Sequence, residues 1–157
     1  MGCSSIYDVS YDYDREADFS NLKTYEWMDI PEGVEIDRSV RARVKNAVDK
    51  QLETKGFLMN SEEPDFRIAM HTGTEEKVTY TDWGYSYGSH WYGPAYTKFK
   101  YQEGTLLLDF IDARSKKLIW RGEAKGLVED TISPEKLETL VNDAVQQILK
   151  NFPPPPL

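Results

Sequence analysis

Residues 105–126 read TLLLDFIDARSKKLIWRGEAKG. No other stretch limits the fold as strongly. Two apolar-rich runs flank the turn Asp112-Ala113-Arg114-Ser115-Lys116, which is too short for a crossover, so the runs must pair antiparallel. In the first run Leu106, Leu108 and Phe110 share one side. In the second, alternation puts Leu118, Trp120, Gly122 and Ala124 on one side and Arg121, Glu123 and Lys125 on the other. Asp109 shares the outer face with Leu107 and Ile111. A cross-strand pair between this carboxylate and Arg121 would neutralise both and fix the register.

A hairpin with one apolar face needs a cover, and two helices supply it. Asp37 is placed to cap a helix that ends at Lys55-Gly56, with Val40, Val44, Val48 and Leu52 recurring every four residues. Ser133-Pro134 opens a second helix, whose stripe runs through Leu137, Leu140, Val141, Ala144, Val145 and Ile148 to Leu149 and Phe152. Three further strands are predicted. Residues 6–14 place Val9, Tyr11 and Tyr13 opposite Ser10, Asp12 and Asp14. TYEWMD reads as a short second strand that keeps Tyr25 and Trp27 together. DFRIAMHTG points Phe66, Ile68 and Met70 inward and Arg67, Ala69 and His71 outward, with a continuation through KVTYTDW. Residues 83–101 keep no period and read as a long loop or an irregular hairpin. The order β-β-α-β-(β)-β-β-α predicts an α+β fold, a two-layer sandwich. Its sheet is mainly antiparallel or mixed, with two helices packed on one face and the other face free.

The 157 residues suit one domain with a substantial core. Residues 1–5 form the N-terminal attachment, 6–152 the domain and 153–157 a proline-rich tail. With 27 acidic against 19 basic residues the formal charge is −8, which disfavours nucleic acid. No apolar run approaches the roughly 20 residues of a spanning helix. One cysteine and two histidines leave no internal disulfide and no zinc cluster. Neither GxGxxG nor GxxxxGK[ST] occurs, and no cofactor is expected.

The single cysteine, Cys3, stands in MGCSSIYDVS, where no core can use it. Three readings are open. It is an idle surface thiol. Or Gly2 is myristoylated and Cys3 palmitoylated, although Ile6 stands where that motif wants Ser or Thr and no polybasic companion follows. Or Gly2-Cys3-Ser4-Ser5 is the end of a bacterial lipobox, with Cys3 the lipid-bearing first residue after removal of a signal peptide.

The run YQEGTLLLDFIDARSKKLIWRGEAKG closely resembles a hallmark of the DUF4136 family of bacterial lipoproteins. Three other segments match in order: DYDREADFSNLKTYEW at 12–27, LETKGF at 52–57 with PDFRIA at 64–69, and KNFPP at 150–154. This resemblance implies lipid attachment at Cys3 and a place in the cell envelope. Ser4, where inner-membrane retention would prefer Asp, points to the periplasmic face of the outer membrane. The family supplies no catalytic residues to carry over. The expected role is that of a non-catalytic binding or structural partner of envelope protein or glycan. The alternatives are a small-ligand or glycan carrier, and a hydrolase with a carboxylate or metal site.

The remaining candidates are side-chain clusters. Asp8, Asp12 and Asp14 invite Ca²⁺ but fail the EF-hand pattern, and the simpler reading is a solvated strand face that discourages edge pairing. His71 and His90 could serve acid–base chemistry, yet neither has a recognisable nucleophile, and a structural or surface role is expected. Asp109 with Glu123 would suit hydrolysis only across a cleft. The most distinctive feature is aromatic: Trp83, Tyr85, Tyr87, Trp91, Tyr92 and Tyr96. Such rings either anchor a partner or fold onto the sheet's open face.

Overall fold

The computed structural model describes residues 8–32, 36–72, 84–87, 104–126 and 133–156. The strands are β1 (Asp8–Tyr13), β2 (Thr24–Trp27), β3 (Leu58–Met59), β4 (Phe66–Thr72), β5 (Ser86–Tyr87), β6 (Leu106–Asp112) and β7 (Lys117–Lys125). Among the described residues the helices are α1 (Arg38–Thr54) and α2 (Pro134–Leu149). The fold is α+β: a seven-stranded mixed sheet in the order β1-β7-β6-β4-β2-β3, with β5 attached to β7. Strands β1, β7, β6 and β4 pair antiparallel, while β4 with β2, and β2 with β3, pair parallel.

The helix ends form where the sequence places them. Asp37 accepts from the Ser39 and Val40 amides at 2.9 and 3.0 Å. At the other end Gly56 takes φ +92°. Its amide bonds to Glu53 O and the Phe57 amide to Leu52 O, the two bonds of a Schellman stop. Phe57 is thereby turned into the core, where it joins Leu52. Ser133 caps α2, with Pro134 at its start. Asp49 on α1 ties the helix to β2, its Oδ1 accepting from Tyr25 Oη and Trp27 Nε1, both at 2.8 Å. Burial and then this bond push the Tyr25 hydroxyl well above the ordinary tyrosine range.

One hydrophobic core lies between the helices and the sheet. Val44, Val48, Leu52, Val141, Val145 and Ile148 meet Phe66, Ile68, Leu108, Phe110 and Trp120 there. Phe152 closes it from the C-terminal side, and Pro154 in the proline tail is also buried. Gly122 makes close approach possible: a Cβ at this position would lie under 3.0 Å from the Trp120 ring and Ile148. Its backbone is compatible with alanine, so the obstacle is space alone. Gly122→Ala is expected to cost on the order of 1–3 kcal/mol, an overpacking penalty, read as a lower urea midpoint. An unchanged midpoint would mean that α2 does not close on β7 at this point.

Three expectations need correction. Strict alternation put Leu118 with Trp120, but the register slips between Phe110 and Ile111. Phe110 faces Trp120 while Ile111 faces Leu118. Ile119 is the extra residue of a bulge, and Leu118 crosses to the second face. That second face is not free. Ala69, His71, Leu107, Asp109, Ile111, Leu118 and Arg121 on it are all buried. Tyr85 is part of its cover: β5 lies parallel beside Lys117 and Leu118 of β7, and the Tyr85 hydroxyl reaches Asp109 on this face. Finally, β3 and β5 are two-residue strands that the periodicity does not predict. The continuation through KVTYTDW lies outside the described residues.

Candidate functional site

The polar residues that interrupt the central strands gather on the second face. Strand pairing sets Ala69 opposite Asp109 and Asp109 opposite Arg121, so one row crosses β4, β6 and β7. Asp12 of β1 continues it as the neighbour of Arg121. Arg121 grips Asp109 with both prongs, Nε to Oδ1 at 2.6 Å and Nη2 to Oδ2 at 2.7 Å. Tyr85 Oη donates to Asp109 Oδ2 at 2.6 Å and lies 2.7 Å from His71 Nε2. A hydroxyl has one proton; since it goes to the carboxylate, His71 Nε2 must be protonated and donate to Oη. The His71 ring also lies 3.5 Å from Asp109 Oδ2. Asp109 is 0 % exposed, His71 1 %, Arg121 4 % and Tyr85 5 %, so the network is sealed from water.

Two opposed effects act on Asp109. Burial pushes its carboxyl up, and the Arg121 charge and hydrogen bonds outweigh that, with His71 adding to them. The group is therefore held well below the usual carboxylate range. A carboxylate so stabilised, with both oxygens engaged, is a poor general base. The arrangement is suited to joining strands and holding Tyr85. It carries out the Arg121–carboxylate pairing expected from the hairpin, on a face that is buried and not open to solvent. Glu123 takes a separate course near the surface, accepting from Ser10 Oγ at 3.0 Å and lying 3.5 Å from Lys125 Nζ.

The other candidates fall as follows. Tyr85 leaves the set of exposed aromatics, because its ring is buried and its hydroxyl committed. Tyr87 is the β5 residue opposite Leu118. Trp83, Trp91, Tyr92, Tyr96, His90 and Cys3 lie outside the described residues. Asp12 and Asp14 serve local turns. Asp12 Oδ1 accepts from the Tyr13 amide and Arg15 Nη1, and Asp14 Oδ1 from the Glu16 amide. Among the described residues, no group of three or more His, Cys, Asp or Glu could hold a metal ion, and no helix is long and apolar enough to cross a membrane. Sequence reasoning missed Tyr85 and His71 as partners of Asp109. The available signal was a lone carboxylate inside LLLDFI, which needs more than one donor once both faces are covered.

A family model described as "Domain of unknown function (DUF4136)" matches residues 9–154. Among solved structures, a DUF4136 family protein from Bacteroides thetaiotaomicron VPI-5482 superposes with a TM-score of 0.65 at 16% identity. The match covers 96% of this chain and 97% of that one. A PDZ domain protein from Parabacteroides distasonis ATCC 8503 gives 0.60 at 17% identity, with 96% of this chain on 36% of that one. The PelC dodecamer from Paraburkholderia phytofirmans gives 0.53 at 10% identity, covering 91% and 95% of the two chains. At these identities the likeness is one of fold. No curated protein matches the chain.

Proposed function

The chain belongs to the DUF4136 family, and from that premise we propose that it is a non-catalytic envelope lipoprotein acting as a binding or structural partner. A lipid on Cys3 holds it at the periplasmic face of the outer membrane, and the aromatic segment 83–96 presents Trp83, Trp91 and Tyr92 to an envelope protein or glycan. One observation carries the non-catalytic part of this reading. His71 and Asp109, residue types suited to acid–base work, are buried and bonded to each other's partners rather than opened to a substrate. The same network supports the recognition part, because Tyr85 fastens the start of the aromatic segment to the rigid sheet. Rings on a fixed stem supply contact area with little loss of side-chain freedom.

Two measurements test the two halves. Intact mass of protein taken from its native membranes should show Cys3 carrying acyl chains; an unmodified Cys3 in such material would remove the anchor. Affinity purification from the same envelope should recover a partner with the wild type and lose it with the Trp91→Ala, Tyr92→Ala variant at unchanged melting temperature. A destabilised variant that still captures the partner would make the rings core filler and end the recognition reading. The native oligomeric state is read from the same preparation, since one fold neighbour is a dodecamer.

A further inference from the structure

The helix stripes run further than the core packed beneath them. Val48 and Leu52 in α1, and Val145 and Ile148 in α2, are fully buried, whereas Val40, Leu137 and Leu140 near the two helix starts are only partly so. Those starts stand over the Thr72 end of β4 and the Leu106 end of β6, and between them lies a cleft of about 210 Å³. Its walls are Val40, Val44, Leu106, Leu137, Leu140 and Val141. The cleft opens to solvent between apolar walls, and poorly ordered water in such a place is readily displaced by an apolar group. We propose that this cleft binds a small, uncharged, single-chain amphiphile. The proposal is independent of Tyr85, whose hydroxyl is held by Asp109 on the opposite face of the sheet.

Each property of the occupant follows from the lining. The volume suits about seven water-sized groups, each taking about 30 Å³. Purely aliphatic walls select an alkyl chain, and nothing among these six side chains would bond a sugar. Polar groups stand beside them: Asp37, Thr72 and Thr105. Thr105 is 4 % exposed, and its hydroxyl has no hydrogen-bond partner among the described residues. A ligand hydroxyl or amide could engage it, and a buried hydroxyl left without a partner is destabilising. The Asp37 carboxylate would repel a fatty acid or a phosphate head, as would the chain's formal charge of −8.

The test uses 1-hexanol, whose seven heavy atoms match the volume, with hexanoate as the charged comparison. In ¹³C methyl spectra of the full chain, hexanol should shift Val44, Leu106 and Val141 saturably, with a dissociation constant below about 1 mM. Hexanoate should bind at least tenfold more weakly. Thr105→Val should weaken hexanol by about three- to tenfold, the loss of one hydrogen bond, while leaving the melting temperature of the free protein unchanged or raised. Val141→Phe, which fills the cleft, should abolish the shifts. Three outcomes would overturn the proposal: no saturable shift, shifts that survive Val141→Phe in a folded variant, or hexanoate binding as tightly as hexanol. The first would also be the result if the chain fills its own cleft. None of them bears on Cys3 or on partner capture.

Discussion

Arg121→Met is expected to destabilise the domain by about 3–5 kcal/mol, because it strands a buried carboxylate without its counter-charge. Asp109 is fully buried and takes two of its hydrogen bonds from Arg121. Tyr85 remains after the change, but one hydroxyl cannot replace a guanidinium fork. At pH 7 the variant should melt roughly 6–20 °C below the wild type, using about 2–4 °C per kcal/mol for a chain of this length. Asp109→Leu combined with Arg121→Met should recover a large part of the loss, since apolar replacement of both partners leaves no buried charge.

The pH dependence gives a second readout of the same pair. The folded-state carboxyl of Asp109 is held below its ordinary value, so its contribution is fully present above the unfolded value of about 3.9. It drains away as pH falls from there toward the folded value. Wild-type stability in urea should therefore drop between about pH 5 and the lowest pH at which the protein folds. In Arg121→Met burial is opposed only by Tyr85 and His71, without the guanidinium charge, and it favours the protonated form of Asp109. The gap between variant and wild type should then shrink as pH falls. Parallel stability curves from pH 7 to pH 3.5 would show that the pair does not govern Asp109.

Phe152→Ala should cost about 3–5 kcal/mol, the range for emptying a buried aromatic site. Phe152 is 1 % exposed although it lies near the end of the chain. Its ring centre stands 4.5 Å from Phe110, 5.3 Å from Trp120, 5.5 Å from Phe57 and 5.6 Å from Phe66. It also meets Phe19 edge-on at 6.2 Å. One side chain thus links β4, β6 and β7, the stop of α1 and the turn after β1. The loss should appear in the urea midpoint with little change in slope, and Phe152→Leu should retain most of the stability. A deficit under about 1 kcal/mol for the alanine variant would mean that the aromatic cluster closes without this residue.

The local signals were legible and the long-range ones were not. The sequence alone determined α1 from Asp37 to its Gly56 stop, the start of α2 at Ser133-Pro134, the β6–β7 hairpin, and the partnership of Asp109 with Arg121. Each depends on neighbours within a turn or two, or on strands joined by a short connection, where spacing determines geometry. Tertiary structure decided the rest. Leu118 changed faces because a bulge at Ile119 shifted the hairpin by one residue, and alternation cannot register an extra residue. The parallel pairing of β2 with β3 and β4 joins segments separated by a helix, and the two residues of β3 are too few to show a period. Tyr85 was one aromatic among many until β5 paired with β7. That pairing carried its hydroxyl to a carboxylate 24 residues away and to His71 across the sheet. A buried charge requires partners, and the chain records that requirement in the Asp of LLLDFI. Which residues meet it depends on what the folded backbone brings within about 3 Å.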